Sequence, residues 1–213
     1  MTPMPDHKLF LYSLALSTEQ AEALARLAGK DPALMKFAII ENAADVIANA
    51  VDWLGGFRAM LEGNGYQLEL LDLRDWRGRR DELFEKLSSK DVIWLGGGNT
   101  FYLRWILKET GADLMIRDLV NQGKIYAGWS AGAVVAGPTL RYFEPMDNTN
   151  MTPQLILDGL HLTETVVVPH LNNKEFSEDA KEADQQLRLA GYRTITLNDD
   201  QVLMIDGDQQ LII

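Results

Sequence analysis

The chain contains no cysteine, which excludes disulfides, thiolate nucleophiles and cysteine-ligated metals together. A Cys-His hydrolase is ruled out on that count. Long apolar runs are lacking too. The opening stretch MTPMPDHKLFLYSLAL carries Pro3, Pro5 and Asp6 where a secretory leader has basic residues, and its apolar segment is short and broken. Neither a secretory signal nor a membrane span is expected, and a cytoplasmic location follows. Positive charge is in short supply: Lys and Arg number 20 against 31 Asp and Glu, a net charge of −11. That balance repels phosphate backbones and anionic bilayers, so neither nucleic acid nor membrane is an expected partner. One basic cluster, Arg74, Arg77, Arg79 and Arg80 around Trp76, is interleaved with Asp72, Asp75, Asp81 and Glu82 and reads as a solvated face leading into a helix.

What is present is the material of a core. The 213 residues are 46% hydrophobic, enough for one α/β domain spanning residues 1–213, with no repeat, low-complexity tract or linker to divide it. Disorder is expected only in the first six residues. Lys8 to Leu14 reads as a strand, and STEQ then matches a capping box with Ser17 as N-cap and Gln20 three places on. Ala21, Leu24, Ala25 and Ala28 form one apolar face, and Gly29 ends the helix. The alternation continues through KFAII, a helix from about Ala44 to Leu61, QLELLDL, a helix around Arg79 to Leu87, and DVIWLGGG. Helices around Phe101 to Lys108 and Ala112 to Asn121 follow, then KIYAGWS and a short helix through Ala133 to Ala136. This order predicts an α/β fold with a mainly parallel sheet covered on both faces. Beyond Pro138, TLRYF and TETVVVPH read as strands, KEFSEDAKEADQQLRLA as a helix stopped by Gly191, and TITL, VLMID and QLII as short final strands.

In such sheets reacting groups collect at the carboxyl ends of the parallel strands. Gly96-Gly97-Gly98, Ser130 and His170 are expected there. Gly128-Trp129-Ser130-Ala131-Gly132 fits G-x-S-x-G, in which a serine occupies a tight strand-to-helix turn and glycines flank it because a Cβ would collide. The N–H of Ala131 then points to where an oxyanion would form. The alternative is a buried turn whose serine caps the helix. A nucleophilic serine needs a base, and only His7, His161 and His170 are available. His7 lies in an N-terminus expected to fray, His161 in a segment of no special context, and His170 at the end of a buried strand, which makes it the candidate base. Asp199 and Asp200 follow another short strand and can reach the same edge, although Asn-Asp-Asp is also ordinary turn chemistry. Asp147 and Asp158 are rivals for the carboxylate. In GGGNT, the N–H groups of Gly97 and Gly98 are candidate second oxyanion donors, and Asn99 is a candidate to contact substrate or to cap the next helix. The stretch lacks the third glycine of G-x-G-x-x-G and the Gly-Lys-Ser/Thr of a P-loop, which disfavours nucleotide binding.

LGGGNT, a helix, YAGWSAGA with GPTLR after it, VVPH and a late carboxylate turn together resemble the peptidase E and cyanophycinase-like family over roughly Lys8 to Asp206. The resemblance implies a three-layer α/β sandwich like that of class I glutamine amidotransferases, and serine-type hydrolysis of short peptides through an acyl-enzyme without metal or cofactor. It matches Ser130 to the nucleophile, His170 to the base, and Ala131 with Gly97 or Gly98 to the oxyanion donors. The family's third member corresponds to Asp199, with Asp200 adjacent, or to Asp147 after a two-residue insertion; Asp199 is preferred. Asp replaces a Glu there, shortening the arm by a methylene. Arg141 matches a position near the pocket that reads an N-terminal aspartyl residue, so an Asp-Xaa dipeptide is the implied substrate. Two rivals are an α/β-hydrolase-type esterase, with an antiparallel start to its sheet and Asp147 or Asp158 as acid, and a non-catalytic binding relative.

Overall fold

Successive side chains of the central strands are buried on alternate faces of the sheet, and that period of two dictates the layers. The computed structural model describes residues 7–213, so the disorder expected of the first six lies outside the described residues. The strands are β1 (Lys8–Tyr12), β2 (Lys36–Ile40), β3 (Gln67–Leu70), β4 (Val92–Leu95), β5 (Ile125–Trp129), β6 (Thr165–Val168), β7 (Arg193–Thr196), β8 (Val202–Asp206) and β9 (Gln209–Ile212). The helices are α1 (Thr18–Ala28), α2 (Ala50–Gly63), α3 (Arg80–Ser88), α4 (Thr100–Thr110), α5 (Ala112–Asn121), α6 (Ala131–Val135) and α7 (Ser177–Leu189). Seven strands form one sheet in the order β3-β2-β4-β5-β1-β8-β9. It is parallel from β3 through β1 and antiparallel only where β8 joins β1 and β9 joins β8.

On one face Phe10, Tyr12, Phe37, Ile39, Trp94 and Ala127 pack against Leu24 of α1 and Leu54 and Phe57 of α2. The intervening residues Leu9, Leu11, Ala38, Ile40, Ile93, Leu95 and Tyr126 face α3, α4, α5 and α6. The result is a three-layer α/β sandwich with a mostly parallel central sheet. The cluster around Trp76 is a solvated face of ion pairs: Arg74 with Asp72 and Asp45, Arg77 with Glu109, Arg79 with Glu82.

Departures from expectation have local causes. β6 and β7 form a separate two-stranded parallel sheet instead of extending the main one; their valines Val166, Val167 and Val168 enter the same core as α6 and α7. TLRYF is not a strand. Only Thr139 makes a bridge, to Asp158, and the chain then turns through Tyr142 at φ 73°. α2 starts at Ala50, because Asn42–Ala44 makes a tight 3-10 turn and Asn49 sits at φ 58° just ahead of the helix. His7 is tied down, its ring bonded to Leu162 O and to Asn121 Oδ1. Among the described residues there is no antiparallel start of the kind expected of an α/β-hydrolase-type esterase: β1 lies inside the sheet between β5 and β8, and β2 pairs in parallel with both neighbours. No described helix is long and apolar enough to cross a membrane.

The capping box forms as the sequence implies, with Gln20 N donating to Ser17 Oγ at 3.2 Å and Ser17 N to Gln20 Oε1 at 2.9 Å. Gln20 also donates to Asp200 O and Ile213 O, which ties α1 to the end of the chain. Ser17→Ala should therefore lower the stability read by urea denaturation by about 1 kcal/mol, at an unchanged slope; an unchanged midpoint would mean the cap contributes nothing.

Candidate active site

Two close backbone approaches shape the turn after β5. A Cβ at Gly128 would lie 2.4 Å from Gly132 O, and one at Gly132 would lie 2.1 Å from Leu95 O. Only hydrogen fits at either place. The chain therefore passes from β5 into α6 in a single residue, Ser130, at φ 49° and ψ −108°. Ser130 N donates to Tyr12 O at 3.0 Å, while Ser130 O accepts from Ala133 N and Val134 N. The side chain is left at the carboxyl edge of the sheet. The backbone N–H groups of Gly97, Gly98 and Ala131 have no acceptor among the described residues, and the Gly97 backbone runs close beside Ser130.

His170 follows β6 through Pro169 and is itself at φ 68°. Its Nε2 lies 2.8 Å from Ser130 Oγ, and its Nδ1 lies 2.8 Å from Asp199 Oδ1. A carboxylate can only accept, so Nδ1 carries the hydrogen and Nε2 is free to accept from the serine hydroxyl. Asp199 is held on several sides: Asn173 Nδ2 donates to its Oδ2 at 2.7 Å, its own N–H donates to Asn172 Oδ1, and its carbonyl accepts from Leu14 N and Ala15 N. Ser13 completes the arrangement. Fully buried just past β1, its hydroxyl accepts from His170 N at 2.8 Å and donates to Asp199 Oδ1 at 3.4 Å. Phe176 packs against the imidazole at 5.4 Å between centroids.

The other predicted residues fall elsewhere. Asp200 is exposed and meets α1 through its carbonyl, so of the adjacent pair only Asp199 reaches the imidazole. Asp158 is exposed, its carbonyl bonded to Arg104, and His161 is exposed as well. Asp147 lines the cavity beside Ser130, but its Oδ2 accepts from Thr100 N at 2.9 Å, at the start of α4. Burial pushes its carboxyl above the ordinary range, against the opposing pull of Thr100 and the nearby His170. Asn99 is the N-cap of α4, accepting from Tyr102 N, and its amide nitrogen donates to Asn148 O. Both ends of that amide are engaged by the fold, and Asn99 is buried outside the cavity wall. Arg141 is exposed and outside the cavity wall. The cavity itself measures about 560 Å³ and is bounded by Gly97, Gly98, Ser130, Ala131, Asp147 and His170 among others.

Ser13 and Asn173 carry no motif in the sequence. The only signal was positional: Ser13 ends a buried strand, as Ser130 and His170 do, and Asn173 lies in the loop directly after His170.

The model of peptidase family S51 matches residues 20–213. Among curated relatives, an uncharacterized peptidase of Listeria monocytogenes is 36% identical over 136 residues, covering 63% of this chain and 65% of its own length. Peptidase E of Escherichia coli is 38% identical over 87 residues, 41% of this chain and 37% of its own length. The chain thus spans under two thirds of the length of these relatives. Among solved structures, a Listeria monocytogenes protein described as a candidate peptidase E superposes with a TM-score of 0.84 at 29% identity, covering 97% of this chain and 98% of that one. A peptidase from an acI-B1 actinobacterium, at 20% identity and a TM-score of 0.66, shares the fold.

Replacing Ser13 by Ala leaves the buried His170 N–H without its acceptor, and an orphaned buried donor costs about 1–3 kcal/mol. Urea denaturation of Ser13→Ala should show that loss; a midpoint equal to that of the parent chain would remove Ser13 from the account of how His170 is held.

Proposed function

This chain belongs to peptidase family S51, and from that premise we propose that it hydrolyses short peptides as a serine peptidase, with Ser130, His170 and Asp199 as its triad. The observation that carries the reading is the unbroken chain of contacts from Ser130 Oγ to His170 Nε2 and from His170 Nδ1 to Asp199, each 2.8 Å. Ser130 Oγ attacks the scissile carbonyl as His170 Nε2 takes its proton. The tetrahedral oxyanion is met by the N–H of Ala131 and of Gly97 or Gly98, which need no reorganisation because they have no other acceptor. His170 then gives the proton to the leaving amine, and water hydrolyses the acyl-enzyme by the same steps. Asp199 keeps the imidazole in the tautomer the reaction requires.

Ser130 works as a nucleophile elbow. Its positive φ is strained for a residue with a side chain, and such strain is kept where it presents a reacting atom. An alternative with Asp147 as third member requires its carboxylate to displace Asp199 from Nδ1. The implied Asp-Xaa specificity has less support than the chemistry, because Arg141 stands outside the cavity.

A fluorophosphonate probe should add a single adduct, located on Ser130 by peptide mass spectrometry and lost in Ser130→Ala. Asp199→Asn should lower kcat by about 10,000-fold, since the amide stabilises the wrong tautomer. Gly97→Pro, which removes one candidate oxyanion donor, should lower kcat by about 100- to 1000-fold. Label on any other residue, or full activity in Ser130→Ala, would overturn the assignment.

A further inference from the structure

The cavity beside Ser130 is built for a different side chain than aspartate. Its wall is mainly apolar and includes Leu14, Ile47, Trp53, Phe143, Met146 and Phe176. Its acidic side chains are Asp147 and Glu175, and among the described residues that line it there is no lysine or arginine. Arg141, the residue expected to pair with a substrate carboxylate, is exposed and outside the wall. A carboxylate entering here would lose its water against aromatic surface and meet two acids with no cation to compensate.

A cationic group is treated differently. Asp147 gives one oxygen to Thr100 N and is also met by the Thr100 side chain, and its carboxylate still borders the cavity as an acceptor. It lies near His170 and borders the same space as Ser130, Gly97 and Gly98. In a peptide the N-terminal ammonium is only one carbon removed from the first carbonyl. A carbonyl seated at Ser130 therefore carries its ammonium within the part of the cavity that Asp147 borders.

We propose that the cleft selects peptides whose first residue has an apolar side chain, seated against Trp53, Phe143 and Phe176, with the free ammonium facing Asp147, and that it discriminates against a first-position aspartate. The proposal rests on the serine-peptidase reading above and names the substrate class of that site. One methylene in an apolar pocket is worth about 10- to 200-fold in kcat/KM, so the full side-chain difference is larger than a single step of that kind.

The test is a dipeptide series, Leu-Leu, Phe-Leu, Asp-Leu and N-acetyl-Leu-Leu, run alongside fluorophosphonate labelling of the same preparation. Leu-Leu and Phe-Leu should exceed Asp-Leu in kcat/KM by about 100-fold or more, and acetylation should lower the rate on Leu-Leu by about 10-fold or more. Asp147→Asn should shrink the acetylation effect by raising KM for the free-amine peptide. Because Asp147 also caps α4, Ile47→Arg at the exposed rim of the cavity provides a second variant: the added cation should raise Asp-Leu relative to Leu-Leu. Asp-Leu cleaved as well as Leu-Leu by protein that labels at Ser130 would sink the specificity and leave the hydrolase standing. Labelled protein that cleaves none of the series would sink it too, and absence of both label and turnover would overturn the two readings together.

Discussion

The structure turns on the contact between the Leu95 carbonyl and Gly132, where β4 and α6 touch with no side chain between them. Because Gly128 meets the same helix just as closely, α6 is drawn down onto β4 and β5, and the chain has one residue in which to reverse from extended to helical. Ser130 takes up the resulting strain, about 1–3 kcal/mol for a residue of this kind held at positive φ. What opposes relaxation is on the other side of the strand. Trp129 stacks on Tyr12 at 6.0 Å and meets Trp53 and Phe57 at 5.0 Å each, so β5 cannot lift away without opening that aromatic cluster.

The imidazole and its carboxylate come from a different piece of structure. β6 and β7 pair with Val168 opposite Thr196, and the ladder runs on past their ends as Leu197 N donates to Val168 O and Leu171 N to Leu197 O. His170 and Asp199 thereby inherit their spacing from one small sheet, independently of where Ser130 stands. Ser13 joins the two units: it ends β1 of the main sheet, beside the Tyr12 carbonyl that accepts from Ser130 N, and its hydroxyl accepts from His170 N. The short aspartate arm also finds its reason here. Leu14 N and Ala15 N, just beyond β1, bond the Asp199 carbonyl and bring that turn close enough for the Asp199 carboxylate to reach Nδ1.

Most of the layering could be read from the sequence, since buried parallel strands appear as apolar runs and helix α1 announces itself with a complete capping box. The Ser130 turn was legible for a similar reason: the two glycines mark backbone approaches that admit no substitute. The reading weakened after Pro138, where Thr139 and Leu140 are buried but only one bridge forms, and burial without a ladder is indistinguishable from a strand in a one-dimensional pattern. That β6 and β7 stand apart from the main sheet could not be seen either, because strand partners are chosen by tertiary packing, and TVVV is as apolar as any central strand. Ser13 was invisible since a lone serine after a strand carries no periodic signal. Arg141 and Asn99 mark two limits of a one-dimensional pattern: a sequence position says nothing of which way a turn faces, and capping and ligand contact favour the same side chain.

The competition between carboxylates was decided by backbone donors, not by the histidine. Asp147 and Asp199 both lie near His170, and either could in principle accept from its ring. Asp147, however, is adjacent to the N-terminus of α4, where the first N–H groups lack intrahelical partners and the helix dipole favours negative charge. Thr100 N takes its Oδ2, and Asn99, which caps the same turn, fixes Asn148 immediately after it. Where it stands, Asp147 serves the start of α4 as an acceptor. Asp199 faces no such claim from a helix: its carboxylate meets only side-chain donors, Asn173, Ser13 and the ring itself. A carboxylate with no backbone N–H to satisfy is free to follow the imidazole, and for that reason the turn after β7, and not the loop after α6, holds the carboxylate against His170.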